Sequence, residues 1–178
     1  MDLFPWHTDC SYEEQPTRYF ALQVVRPDRC GGGVLSILDV GKLGRLLSPA
    51  TKAALMRLEY RVTTPPEFIK TPERQALVVR VAAPGEPGVW DMAMRYREDI
   101  LTPLSEGAAK ALSDVKGILS SKEAVSRLAL QLTAADLPER SILVEARAII
   151  YKGHFKLHVQ AIPVSVVNYV LTVLIIQT

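Results

Sequence analysis

The chain has 178 residues, 48% of them hydrophobic, and a formal net charge of +2; this suits one globular domain with a substantial core. Lys and Arg are scattered rather than gathered into a stripe, which argues against a nucleic-acid partner. Two cysteines, Cys10 and Cys30, cannot make a disulfide-dense secreted scaffold, and no charged-then-apolar leader opens the sequence, so the expectation is a cytoplasmic protein with reduced thiols.

Taken in chain order, Trp6-His7-Thr8-Asp9 reads as an extended segment that turns at Cys10-Ser11-Tyr12-Glu13-Glu14-Gln15-Pro16. Residues 18–25 read as a returning strand. A break with Pro27 and Gly31-Gly32-Gly33 follows, then a hydrophobic strand over 34–40. Residues 43–58 read as helical, the main part opened by Ser48 as a cap and Pro49 in the first turn. A strand over 59–62 is stopped by Thr64-Pro65-Pro66. Strands are expected over 75–82 and 90–96, with a Pro/Gly turn at 84–88 between them. A helix over 103–112 has Ser105 as its cap candidate; 122–132 mixes a short helix with a strand, and 142–150 is a strand. The apolar run 162–176 is short of the ~20 residues of a membrane span and contains Pro163 and Asn168, so it reads as a buried strand pair. Short strands with inserted helices predict a mainly β fold, a partial jelly roll.

The chemistry concentrates at the start. A His and an Asp two apart in a strand point to one face, because side chains alternate along a strand. His7 and Asp9 can therefore offer one imidazole nitrogen and one carboxylate oxygen, two of the three protein ligands of a facial iron(II) site. Ser11 beside them could suggest a nucleophile triad, but three residues so close in sequence do not make that geometry. Gly31-Gly32-Gly33 is not followed by the Lys and Ser/Thr of a phosphate loop. Arg95 and Arg97 alternate with Met94 and Tyr96, so both can share a face. They could bind a substrate carboxylate, or pair with Glu98 and Asp99 on a solvated surface.

His7-Thr8-Asp9-Cys10-Ser11-Tyr12, the Arg26-Pro27-Asp28 turn and the Gly-rich lead into a hydrophobic strand resemble the TauD/TfdA-like Fe(II)/2-oxoglutarate-dependent dioxygenases. The stretches 94–99 and 136–144 also look like that family, and the resemblance covers about residues 5 to 150. It implies a double-stranded β-helix, a jelly roll, with iron held at its wide mouth. It also implies Fe(II) as cofactor, 2-oxoglutarate as cosubstrate, O2 as oxidant and a small organic substrate.

The chain departs from the family pattern in three places. The family's distal His falls on Tyr151 in one register and on Lys152 in another, which leaves His154 and His158; His154, just after Gly153, is the expected third ligand. No Arg follows Arg147 to grip the far carboxylate of 2-oxoglutarate as a guanidinium fork would. Lys152 and Lys156 are the cations left there, and Ser36 is the nearest hydroxyl once the family's Thr has become Val34. Finally, only Met1 to Pro5 precede the metal strand, and 155–178 no longer resembles the family.

The expected organisation is thus a single dioxygenase-like domain over 1–178, incomplete at its N-terminus, with a divergent tail at 155–178. Its exposed strand edges invite self-association. Two functions follow: a dioxygenase that hydroxylates a small substrate, or a catalytically impaired remnant without a complete metal triad.

Overall fold

The structure is a computed structural model that describes residues 5–16, 19–26, 34–71, 73, 75–85, 92–140, 142–146, 149–152 and 172–173. Groups of short strands are separated by two pairs of helices. Strand β1 (Tyr19–Gln23) pairs antiparallel with β9 (Ile142–Ala146) and parallel with β11 (Thr172–Val173). Strand β2 (Leu35–Leu38) lies antiparallel between β8 (Ala129–Leu132) and β10 (Ile149–Lys152). Strand β3 (Tyr60–Thr63) lies antiparallel between β4 (Ala76–Val79) and β7 (Leu101–Pro103), and β5 (Ala82–Pro84) pairs with β6 (Met92–Met94).

The helices form where caps and apolar spacing coincide. The expected helix over 43–58 is two helices, α1 (Val40–Leu46) and α2 (Pro49–Leu55). The break follows from Pro49, which has no N–H to donate and holds Ser48 in an extended conformation. Ser48 then caps α2 by accepting from the Thr51 N–H at 3.0 Å. The helix expected over 103–112 is α3 (Glu106–Ser120), with Ser105 as the cap and Pro103 left in β7. It runs past Leu112 because Ala108, Ala111, Val115 and Leu119 continue one buried stripe at helical spacing. Helix α4 (Lys122–Leu128) leads directly into β8.

Two expected strands are each divided. Residues 75–82 split into β4 and β5, and 142–150 into β9 and β10, which join different sheets. The main core lies where α1, α2 and α3 pack over β3, β5, β6 and β7. Leu38, Leu43, Leu55, Tyr60, Val62 and Val115 are fully buried there. Alternation along β3 places Tyr60 and Val62 in this core and Arg61 and Thr63 outside it. Among the described residues, no helix is long and apolar enough to cross a membrane.

Candidate metal site

Residues 5–16 lie against the segment that follows β6. His7 makes an isolated antiparallel bridge with Arg97, and a turn begins at Asp9, so the pair sits at a strand-like contact of one residue rather than in a continuous strand. Thr8 accounts for both the contact and its end. Its N–H donates to the Tyr96 carbonyl at 2.6 Å, while the Tyr96 N–H donates to Thr8 Oγ1 at 2.9 Å. In a continuing antiparallel pair that second bond would go to the Thr8 carbonyl. Because the hydroxyl takes it, the chain can leave the ladder. Cys10 then adopts a positive φ of 53°, and its carbonyl accepts from the Glu13 N–H at 3.0 Å.

That turn brings Asp9 back onto His7. His7 Nε2 and Asp9 Oδ1 lie 3.2 Å apart, with side chains only 5% and 9% exposed. His7 Nδ1 lies 2.9 Å from the Pro5 carbonyl, which can only accept, so Nδ1 carries a proton. In the neutral ring Nε2 is then a lone pair facing a carboxylate oxygen. Two acceptors at that distance need a cation between them, either a proton or a metal ion. A ring that gives one N–H to a backbone carbonyl and turns its other nitrogen towards a metal is the usual arrangement of a histidine ligand. The donor set, one imidazole nitrogen and one carboxylate, suits iron(II). Among the described residues no third His, Cys, Asp or Glu completes a metal-holding group, and His154 lies outside them.

Arg95 meets this segment through its side chain and Arg97 through its backbone. The Arg95 guanidinium donates to the carbonyls of Glu13 at 2.9 Å and Glu14 at 3.1 Å, and so holds the far end of the turn. Arg97 forks onto Asp99 through Nε and Nη2 at 3.0 to 3.2 Å, the ion-pair alternative read from the sequence. Ser36 is buried in β2, in register with Tyr151, while Lys152 is in register with Leu35; the two candidate cosubstrate residues are on adjacent strands without being cross-strand partners.

Three residues past Asp9, Tyr12 stacks on Phe68 with ring centroids 4.6 Å apart. The pair forms one wall of a cleft of about 280 Å³ that also takes in Glu13, Lys70 and Leu77, with Lys70 bonded to Glu13 at 2.9 Å. Burial pushes the Tyr12 phenol up to about 12, helped by the nearby Cys10 and Glu13. Sequence reasoning did not find Thr8, Tyr96 or the turn-holding role of Arg95. The partners in these contacts are more than 80 residues apart, and nothing local announces them.

Over most of its length the chain is similar in fold to solved non-haem iron oxygenases. An asparagine oxygenase solved in complex with Fe(II), 2S,3S-3-hydroxyasparagine and succinate is 22% identical to it, with a TM-score of 0.63. That similarity covers 85% of this chain and 43% of the oxygenase. The non-haem iron oxygenase OrfP in complex with Fe and alpha-ketoglutaric acid is 14% identical, with a TM-score of 0.60, over 89% of this chain and 45% of OrfP. The chain thus spans less than half the length of either structure. No protein-family profile and no curated protein matches it.

Proposed function

We propose that the chain belongs to a non-haem Fe(II)/2-oxoglutarate-dependent dioxygenase that hydroxylates a small organic substrate. The single observation that carries this reading is the His7–Asp9 pair, an imidazole nitrogen and a carboxylate oxygen 3.2 Å apart, both side chains largely buried and the ring oriented by the Pro5 carbonyl. The shared fold supports it, since the similar structures hold iron with succinate or alpha-ketoglutaric acid. On this reading His7 and Asp9 hold Fe(II) and His154 is the third ligand. Ser36 and Lys152 receive the far carboxylate of 2-oxoglutarate. Bound iron would supply the activation of O2 that drives the hydroxylation.

The chain's own residues then have definite tasks. The Pro5 carbonyl fixes the His7 tautomer, and the closely packed surroundings of His7 and Asp9 exclude bulk water. The Tyr12–Phe68 cleft is the place for the substrate, on the scale of a small molecule. The small sheets belong to one partial double-stranded β-helix over a single domain. Self-association belongs to the same proposal: β8 and β4 end their sheets among the described strands, and Leu130 and Val78 on them are exposed.

The impaired remnant remains as a second reading because the sequence holds no Arg after Arg147. Replacing a forked guanidinium by a point charge costs on the order of 1 to 3 kcal/mol in cosubstrate binding. The test is an anaerobic titration of Fe(II) and 2-oxoglutarate into the purified chain, following the metal-to-cosubstrate charge-transfer band. The expected result is a band in the wild type that is lost in His7→Ala and His154→Ala. Iron binding without the band would favour the remnant, and no iron binding would end the metal reading.

A further inference from the structure

The metal pair does not sit in a regular strand, so something other than a ladder must set its geometry. Thr8 stands between the two donors, is 7% exposed, and is bound to Tyr96 through both its N–H and its hydroxyl. Arg95, the residue before Tyr96, grips the carbonyls of Glu13 and Glu14 at the far end of the same turn. Consecutive residues of one segment therefore pin both ends of the loop that carries Asp9.

We infer that Thr8 and Arg95 are positioning residues for the His7–Asp9 pair, and that the Thr8 hydroxyl is the element that allows the pair to form. This rests on the metal reading above. The hydroxyl occupies the Tyr96 N–H, so the Thr8 carbonyl does not have to. A side chain without that oxygen leaves a buried N–H seeking an acceptor. The nearest candidate is the Thr8 carbonyl itself, as in an ordinary antiparallel pair. Drawing it in extends the ladder by one bond, straightens the turn and carries Asp9 away from His7. Arg95 resists the same motion from the other side, with two charge-assisted donations to carbonyls.

The experiment compares wild type, Thr8→Val, Thr8→Ser and Arg95→Lys in two measurements. The first is amide hydrogen exchange on the metal-free chain. The Tyr96 amide is expected to stay protected in wild type and Thr8→Ser. In Thr8→Val the hydroxyl-dependent arrangement is lost, and protection at Glu13 should fall as the turn opens. The second is anaerobic Fe(II) affinity. Thr8→Val and Arg95→Lys should weaken it by about tenfold or more, the scale of lost outer-shell support, while Thr8→Ser stays near wild type. Rescue by Ser separates positioning from general packing, because Ser keeps the oxygen and loses the methyl. Thr8→Ser as weak as Thr8→Val, or Thr8→Val with wild-type exchange and wild-type affinity, would overturn the inference. A wild type that takes no iron would overturn the metal reading, and the exchange data would still decide whether the clamp exists.

Discussion

The core and the site segment are held by different balances of burial and hydrogen bonding. Around β3 the chain is fixed by burial: Leu55, Tyr60, Val62 and Val115 are wholly enclosed, and each helix carries a Ser or Asp cap. Residues 5–16 add a second kind of restraint: Trp6 and Tyr12 pack against the core and Tyr12 stacks on Phe68, while hydrogen bonds to Tyr96 and from Arg95 fix the backbone of the turn. Burial is large and tolerant of small shifts. Hydrogen bonds are individually modest, but they fix atoms to within a few tenths of an ångström. On the proposed reading, a region that presents two donor atoms to one ion gains from the second kind of restraint. A region that must keep the domain folded gains from the first.

If that division is right, the two regions should fail separately. Leu55→Ala empties a fully buried position and should cost about 2 to 5 kcal/mol in urea denaturation. Iron affinity of the folded fraction should hardly change. His7→Ala should abolish iron binding while shifting the urea midpoint far less. A variant in either place that damaged both measurements equally would show that site and core are one cooperative unit.

Alkaline titration sharpens the comparison with a smaller effect that reaches both regions. Burial pushes the phenols of Tyr12, Tyr60 and Tyr96 up to about 12. Glu59 adds to this at Tyr60 and Glu98 at Tyr96, while Arg57 and Arg97 oppose it at Tyr60 and Tyr12. An unfolded phenol ionises near 10. The folded state therefore binds these protons more tightly, and the associated stability is fully present below pH about 10 and lost as pH rises through about 12. Phenolate absorbance should show a late-titrating class, and stability should fall across that window. Tyr60→Phe should remove the core's share and Tyr12→Phe the site's. An unchanged profile in both variants would mean that these rings are wet.

Much of this was legible because it is local. Ser48-Pro49 and Ser105 announce helix starts through their own backbone chemistry; His7 and Asp9 do lie close together, but a turn after Thr8 brings them there and not the strand alternation that their spacing suggested. The split of 142–150 between two sheets was not legible, since Ile142-Leu143-Val144 and Ile149-Ile150 suit a strand of either sheet equally well. Nor was the role of Arg95. Alternation with Met94 and Tyr96 suggested a shared face with Arg97, but the carbonyls that Arg95 binds are 81 and 82 residues away. The exact register of Ser36 against Tyr151 rather than Lys152 is likewise a property of strand pairing, not of either segment alone.

The smallest expected effect is a gain. Gly117 lies inside α3, and a Cβ built there would meet nothing within 4 Å. Gly in a helix interior loses more backbone entropy on folding than Ala does, and offers no side chain in return. Gly117→Ala should therefore raise stability by roughly 0.5 to 1 kcal/mol, mainly by restricting the unfolded chain. Gly44, buried in α1, gives the contrast with the exposed Gly117. A Cβ there would lie 3.0 Å from Met92 Cε, so the same substitution must first displace that side chain. The propensity gain at Gly44 is then set against overpacking in a region where α1 lies on β6. Because neither glycine belongs to the site segment, both variants should keep wild-type exchange at Thr8 and Tyr96. A stabilised Gly117→Ala chain with loosened exchange there would show that rigidity of α3 is transmitted to the donor pair, and the separation between core and site would have to be abandoned.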